Sequence, residues 1–241
     1  MTKLVDSDIN LIDIIKRKRE EQRNNGREGS YSVIFDIDST VMETESRNIT
    51  ILQELAVNRP LFAPYVALLE EQGVGWSIDG SLRRVGLTNS DLLNEAMDFW
   101  RKRFFRDKYV LLDKPYPGVI ECINTLLADE FHILFVTGRD TPGMSRGTLQ
   151  SFANYGIQEG DLVSFYFKPS FSMKDKVFKQ KFCGSIEKHQ IITATFENEP
   201  RNANIFAEAF PEAVHFWIDT VTSPHPEQLN PNVISIKEYY Q

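Results

Sequence analysis

The sequence predicts an α/β protein: a doubly wound parallel sheet with a Rossmann-type core, and a small helical unit inserted after its first strand. Three observations carry this. Four short apolar runs each end abruptly in polar residues, helical spacing fills the gaps between them, and the stretch from Val41 to about Asp113 keeps helical spacing with no convincing strand. A chain of 241 residues, 41% hydrophobic and 25% charged, is long enough to build such a core and to carry an insert.

The elements follow in order. Asp6 or Ser7 is a candidate cap for a leader helix in which Ile9, Ile12 and Ile15 recur at helical spacing, ahead of a charged stretch and the stop Asn24-Asn25-Gly26. This helix is expected to close the bottom of the core. The run Tyr31–Phe35 reads as a buried parallel strand that feeds Asp36-Ile37-Asp38-Ser39-Thr40. His132–Val136 likewise ends in Thr137-Gly138-Arg139-Asp140, Ile191–Phe196 in Glu197-Asn198-Glu199, and Val214–Ile218 in Asp219-Thr220. Helical patterns cover 118–128, 144–155, 174–188 and 203–210, and a last short strand is expected near Val233–Ile236. With right-handed crossovers, the four polar tips meet in one crevice beyond the carboxyl ends of the strands.

Within the insert, Ile49, Leu52 and Leu55, then Leu61, Tyr65, Leu68 and Leu69, then Leu92, Leu93, Ala96 and Phe99 mark successive helices. Asn58-Arg59-Pro60, Gly73-Val74-Gly75 and Gly80 punctuate them, and Asn89 or Ser90 caps the helix that runs through Phe105. The division expected is a core of residues 1–44 and 113–241 with a helical unit over 45–112.

Charge and composition narrow the function. A formal charge of −7 opposes non-specific binding to phosphate backbones or anionic lipid, so nucleic acid is an unlikely bulk partner. Acidic residues interrupt the N-terminus before any signal-peptide core forms, and no apolar run approaches the length of a membrane span, so no membrane partner is expected. Cys122 and Cys183 stand far apart without metal-ligand spacing, which suits a reducing compartment. The cytoplasm is the expected setting.

Two carboxylates at the tip of a buried strand, Asp36 and Asp38, are costly unless a cation or a bound phosphate sits with them. Past the strand end the chain turns, so both can reach one pocket, one as nucleophile and one as acid and base. Thr137-Gly138-Arg139 offers a hydroxyl and adjacent amides suited to phosphoryl oxygens. Glu197 and Glu199 offer further carboxylates, and Lys174, Lys176 and Lys179 lie just ahead of them.

In this order the four elements resemble the haloacid dehalogenase-like superfamily of aspartyl phosphatases and phosphotransferases. The matching stretches are Tyr31–Thr40 and Asp113–Asp219, and the insert falls where such proteins often carry a helical cap. The resemblance implies a Mg²⁺-dependent phosphatase of a small phosphomonoester. Asp36 would be the nucleophile that forms an aspartyl phosphate, and Asp38 the acid and base. Thr137, Gly138 and Arg139 would bind phosphate. The metal would be held by Asp36, the backbone carbonyl of Asp38, and Glu197 in preference to Glu199. Lys174 is the first choice for the lysine that faces the phosphate, because it begins a helix whose Val177, Phe178 and Phe182 are read as core-facing; Lys179 is the second. Two departures stand out: Ser39 where the family often has Gly, and Glu197-Asn198-Glu199 where it usually has Asp. Candidate specificity residues in the insert are Tyr65, Trp76, Asp79, Arg83, Arg84, Trp100 and Arg101. A nucleotide or polynucleotide-end phosphatase and a catalytically silent binding protein remain as alternatives.

Overall fold

The computed structural model of the chain describes residues 10–187 and 189–239. Helix α1 (Leu11–Asn24) buries Leu11 and Ile15, and its first turn is capped by Asn10, whose side chain accepts from the Ile12 amide. The caps expected at Asp6 or Ser7, and Ile9 on the same face, lie outside the described residues.

Strand β1 (Ser30–Phe35) leads to the two-residue β2 (Met42–Glu43) and then to the helices α2 (Glu45–Asn58), α3 (Ala63–Gln72), α4 (Ile78–Arg84), α5 (Ser90–Phe104) and α6 (Asp107–Val110). The chain returns through β3 (Lys114–Pro115), which pairs antiparallel with β2. The core resumes as α7 (Val119–Ala128), β4 (His132–Asp140), α8 (Thr141–Ala153), β5 (Val163–Lys168), α9 (Asp175–Ser185), β6 (Gln190–Glu197), α10 (Pro200–Ala209), β7 (Val214–Ile218) and β8 (Val233–Ile236).

The six long strands form one parallel sheet in the order β5-β4-β1-β6-β7-β8. Because the chain leaves β1 first toward β4 and later returns on the other side as β6, the strand order reverses at β1/β6. In open α/β sheets that reversal opens a crevice at the carboxyl ends. Alternation along β1 sorts the two layers: Val33 and Phe35 pack into the cluster with α1 and α7, while Ile34 faces Phe182 of α9 and Phe206 of α10. Register sets Phe35 beside Phe135 and Phe196, and stacked rings at 4.5 Å (Phe35–Phe196) and 4.8 Å (Phe196–Phe216) run across the sheet. The insert helices have an apolar cluster of their own, built on Leu52, Leu55, Phe62, Leu69, Leu82 and Leu93.

Four local expectations are corrected. Residues 137–140, expected as a polar tip beyond the strand, continue β4 with a register break between Thr137 and Asp140. Strand β5 was not expected; it is an edge strand whose Val163 and Phe165 are buried, and its Phe rings extend the aromatic row. The stretch read as strandless is bounded by the short β2–β3 pair, too brief to leave a period-two signal. Gly80 lies inside α4, where the Ser77 cap accepts from its amide. Asn89 is the cap of α5 as expected, its side chain accepting from Asp91 and Leu92.

One buried base on the sheet gives a pH prediction. His215 of β7 faces the Phe210 carbonyl with Nε2 (3.1 Å), which must donate, so Nδ1 accepts from the Thr195 hydroxyl (2.8 Å). Burial lowers its pKa from 6.5 to about 4. The unfolded chain therefore takes up this proton before the folded one does. Stability is expected to fall as pH drops from about 6.5 to about 4, by about 3 kcal/mol from this residue alone. Denaturant unfolding across that window checks it: His215→Gln should lose less stability than the parent chain, and parallel losses would contradict it.

Candidate active site

Asp36 is the first residue beyond β1, and Glu197 ends the neighbouring β6. The Asp36 amide donates to the Phe196 carbonyl (3.0 Å), which locks the two tips in step. By strand alternation both carboxylates face the α9 side. Lys179 of α9 reaches up between them, its Nζ 2.6 Å from Asp36 Oδ1 and 2.5 Å from Glu197 Oε2. All three side chains are almost fully buried.

Lys179, not Lys174, is thus the lysine in the cluster. Lys174 sits at the cap position of α9, exposed, and Lys176 is exposed as well. The reason is the phase of the helix. The stripe of α9 that meets the sheet is Phe178, Lys179, Phe182 and Cys183, continued by Ile186 just past the helix end, while Val177 is 40% exposed. Reading Val177 as core-facing rotates the helix by one residue and turns Lys179 away from the site.

Burial and the neighbouring Glu197 raise the Asp36 carboxyl above the usual carboxylate range, against the pull of Lys179, which favours its charged form. Burial also raises Glu197. Lys179 is disfavoured as a cation by its burial, yet Asp36 and Glu197 together hold it protonated well above the ordinary lysine range.

Asp38 faces the other way, into a second ionic group. Arg139 approaches it with Nε (3.0 Å) and Nη2 (2.9 Å), and Arg47 of α2 with Nη2 (2.7 Å). Both guanidiniums are fully buried and share a second carboxylate, Asp113, at 2.6 Å from Arg139 and 2.9 Å from Arg47. The Asp38 side chain keeps 34% of its surface exposed, so its partial burial is outweighed by the Arg139 and Arg47 guanidiniums, which hold this carboxyl well below the usual range. Arg139 is thereby committed to Asp38, Asp113 and Thr148, not to the pocket's centre. Thr137 is buried, with its hydroxyl accepting from the Arg139 amide, and Gly138 lies in the pocket wall.

Arg47 and Asp113 were not singled out in the sequence, although Arg47 left a trace: with Ile51 and Leu55 it falls at i, i+4, i+8, on the buried stripe of α2. An arginine at such a position needs a buried anion. Asp113 gives no comparable signal, because it lies in a turn between α6 and β3.

Ser39 has φ +60°, in the left-handed region where glycine is favoured, which explains why this position suits Gly. Its amide donates to the Met42 carbonyl (2.8 Å) and its own carbonyl accepts from Thr220 (2.5 Å), so the turn is held in spite of the side chain. Asn198 accepts from the Thr40 hydroxyl (3.2 Å) and donates to the Val221 carbonyl (2.6 Å), tying this turn to the loop after β7. Glu199 caps the pocket's other rim. Its carboxylate accepts from the Ser223 amide (2.8 Å), the Ser223 hydroxyl (2.7 Å) and the Trp76 indole (3.1 Å).

These groups open on a cavity of about 270 Å³ between the sheet and the insert. Of the seven insert residues expected to face a ligand, Trp76 and Trp100 line it. Tyr65 packs in the insert's own cluster, Asp79 and Arg83 pair with each other, Arg84 donates to the Gly73 carbonyl, and Arg101 pairs with Asp98. A larger cavity of about 390 Å³, lined by Gln22, Arg27, Cys183 and Phe210, lies away from every carboxylate of the site.

No protein-family profile matches the chain, and no curated protein is similar to it in sequence. Solved structures are similar in fold. A candidate phosphatase from Clostridium difficile superposes with a TM-score of 0.56 at 14% identity, over 87% of this chain and 94% of its own. Protein tyrosine kinase A of Mycobacterium tuberculosis gives 0.54 at 13%, over 87% and 94%. A haloacid dehalogenase-superfamily hydrolase of subfamily IA from Geobacter sulfurreducens gives 0.50 at 14%, over 88% and 94%. The chain has the haloacid dehalogenase-like fold. Among the described residues, no helix is long and apolar enough to cross a membrane.

Proposed function

We propose that the protein is a Mg²⁺-dependent phosphatase of a small phosphomonoester, working through an aspartyl phosphate on Asp36. The observation that carries this reading is the convergence of Asp36, Glu197 and Lys179 at the point where the strand order reverses, at the floor of a cavity roofed by the insert. The insert, roughly residues 45–112, serves on this reading as a cap that excludes water and contacts the leaving group.

The donor set fits a hard divalent cation. Among the described residues no three His, Cys, Asp or Glu side chains are placed so that together they could hold a metal ion. Mg²⁺, however, keeps several waters and is commonly held by one or two carboxylates with substrate phosphate oxygens. Asp36 and Glu197 would hold it, with the Asp38 carbonyl, in a cluster where two carboxylates face one ammonium. When bound it would supply charge neutralisation for the phosphoryl oxygens.

Asp36 Oδ2 has no hydrogen-bond partner among the described residues, since Lys179 takes Oδ1. Oδ2 attacks phosphorus as the ester P–O bond breaks, and the leaving oxygen takes a proton from Asp38. Water then attacks the phosphoryl group and returns a proton to Asp38, the Asp36–phosphorus bond breaks, and inorganic phosphate departs. Lys179 offsets the negative charge beside the nucleophile. Asp38 can carry a proton only after a guanidinium releases it. Arg47 is the one carried by the insert, so movement of the insert would couple to the acid–base group.

Two measurements test these roles. For Asp38→Asn, turnover of an alkyl phosphate is expected to fall by about 10²- to 10⁴-fold, and turnover of a nitrophenyl phosphate much less, because nitrophenolate leaves without a proton. Equal losses would remove the acid role. For the metal, EDTA should stop phosphate release and Mg²⁺ restore it. Glu197→Gln should raise the half-saturating Mg²⁺ about 10- to 100-fold, against little change for Glu199→Gln, whose carboxylate is occupied by Trp76 and Ser223. The opposite ranking would move the ligand to Glu199.

A further inference from the structure

The cavity above Asp36 is walled in a way that selects its guest, and we infer that it takes a phosphomonoester whose leaving group carries a flat, aromatic, hydrogen-bonding ring of the nucleobase kind. The inference rests on the phosphatase reading for where the phosphate sits, and its test separates the two.

Trp76 is the first support. It lies in the short loop between α3 and α4 and is 55% exposed, yet its indole is not loose, because Nε1 donates to Glu199 across the cavity rim (3.1 Å). A large ring held in one orientation beside an open pocket offers a stacking face at small entropic cost. The second support is a further aromatic part of the cavity lining. Trp100 is fixed by its own donor bond to Asn48 Oδ1 (2.8 Å) and packs on Phe104 with ring centroids 4.5 Å apart; all three residues line the same cavity.

The third support separates a ring with polar edges from a plain apolar tail. Asn48 spends its oxygen on Trp100, which leaves its amide N–H groups without a protein partner among the described residues. The Asn202 side chain, on the first turn of α10, likewise has none, and it too faces the cavity. Both asparagines are more than nine-tenths buried, 7% and 8% exposed. Their amide groups open on the cavity itself, where a polar ligand edge or water can pair with them and an alkyl chain that displaced the water would leave them unpaired. Flat rings between aromatic walls, with amides at their edges, are how unpaired bases are held.

The test compares phosphomonoesters that share a primary-alcohol leaving group, so that chemistry is matched: a nucleoside 5′-monophosphate, ribose 5-phosphate and a medium-chain alkyl phosphate. Affinity is read by quenching of tryptophan fluorescence, and phosphate release is followed in parallel. The nucleoside monophosphate is expected to bind at least about tenfold more tightly than ribose 5-phosphate. Trp76→Leu should reduce that ratio to near one, and Trp76→Phe should restore most of it, since Phe keeps a stacking face but not the bond to Glu199. Equal affinities, or tightest binding of the alkyl phosphate, would overturn the inference, as would an unchanged ratio in Trp76→Leu. Ring preference in binding with no phosphate released from any ester would support the subsite and end the phosphatase reading. Release without ring preference would do the reverse.

Discussion

Asp36→Asn is expected to abolish phosphate release, by about 10⁴-fold or more, while the protein stays folded. An amide oxygen is a poor nucleophile and cannot share a cation with Glu197 as a carboxylate does. The fold should survive because the substitution removes one of two like charges packed against each other. Asn can still accept from Lys179 at the position of Oδ1. Thermal unfolding of the variant beside the parent chain, with phosphate release on the same samples, decides it. A folded Asp36→Asn protein with undiminished turnover would end the assignment of this residue as nucleophile.

Lys179→Met should have the second large effect, and this one reaches the fold as well as the chemistry. Lys179 is the ammonium between two buried carboxylates, and without it Asp36 and Glu197 face each other unpaired. Breaking such a pair from one side costs about 3–5 kcal/mol, and activity should be lost. The deficit should shrink as pH falls, because protonating either carboxylate removes the repulsion. Lys174→Ala is the control. Its side chain is exposed at the start of α9, so its stability should change by no more than about 0.5 kcal/mol. If Lys174→Ala were the damaging change and Lys179→Met the mild one, the phase assigned to α9 would be wrong.

The contrast between these lysines shows what was legible in the sequence. The parallel strands β1, β4, β6 and β7 announce themselves as apolar runs followed by polar residues, and their order along the chain is enough to bring Asp36 and Glu197 into one crevice. Helix phase is harder to read. Lys174, Lys176 and Lys179 differ only by rotation about one axis, and Val177 misleads because an exposed valine is ordinary on a surface helix. Long-range pairing is harder still. Nothing in Thr137-Gly138-Arg139 says that its guanidinium will turn toward Asp38 and Asp113, since that partner arrives from the turn before β3. The edge strand β5 leaves little trace in the sequence for a related reason: its alternation is blurred by half-buried Tyr166 and Phe167 on both faces.

The central claim is that phosphate passes through a covalent bond to Asp36, and trapping that bond tests it most directly. The protein would be mixed with a turned-over phosphomonoester and Mg²⁺, quenched in acid, and reduced with borohydride, which converts an acyl phosphate to an alcohol. Peptide mass spectrometry then reads the position. The account predicts homoserine at position 36, absent from Asp36→Asn and from samples held in EDTA. Turnover with no reducible adduct at Asp36, or with the adduct on another carboxylate, would contradict it.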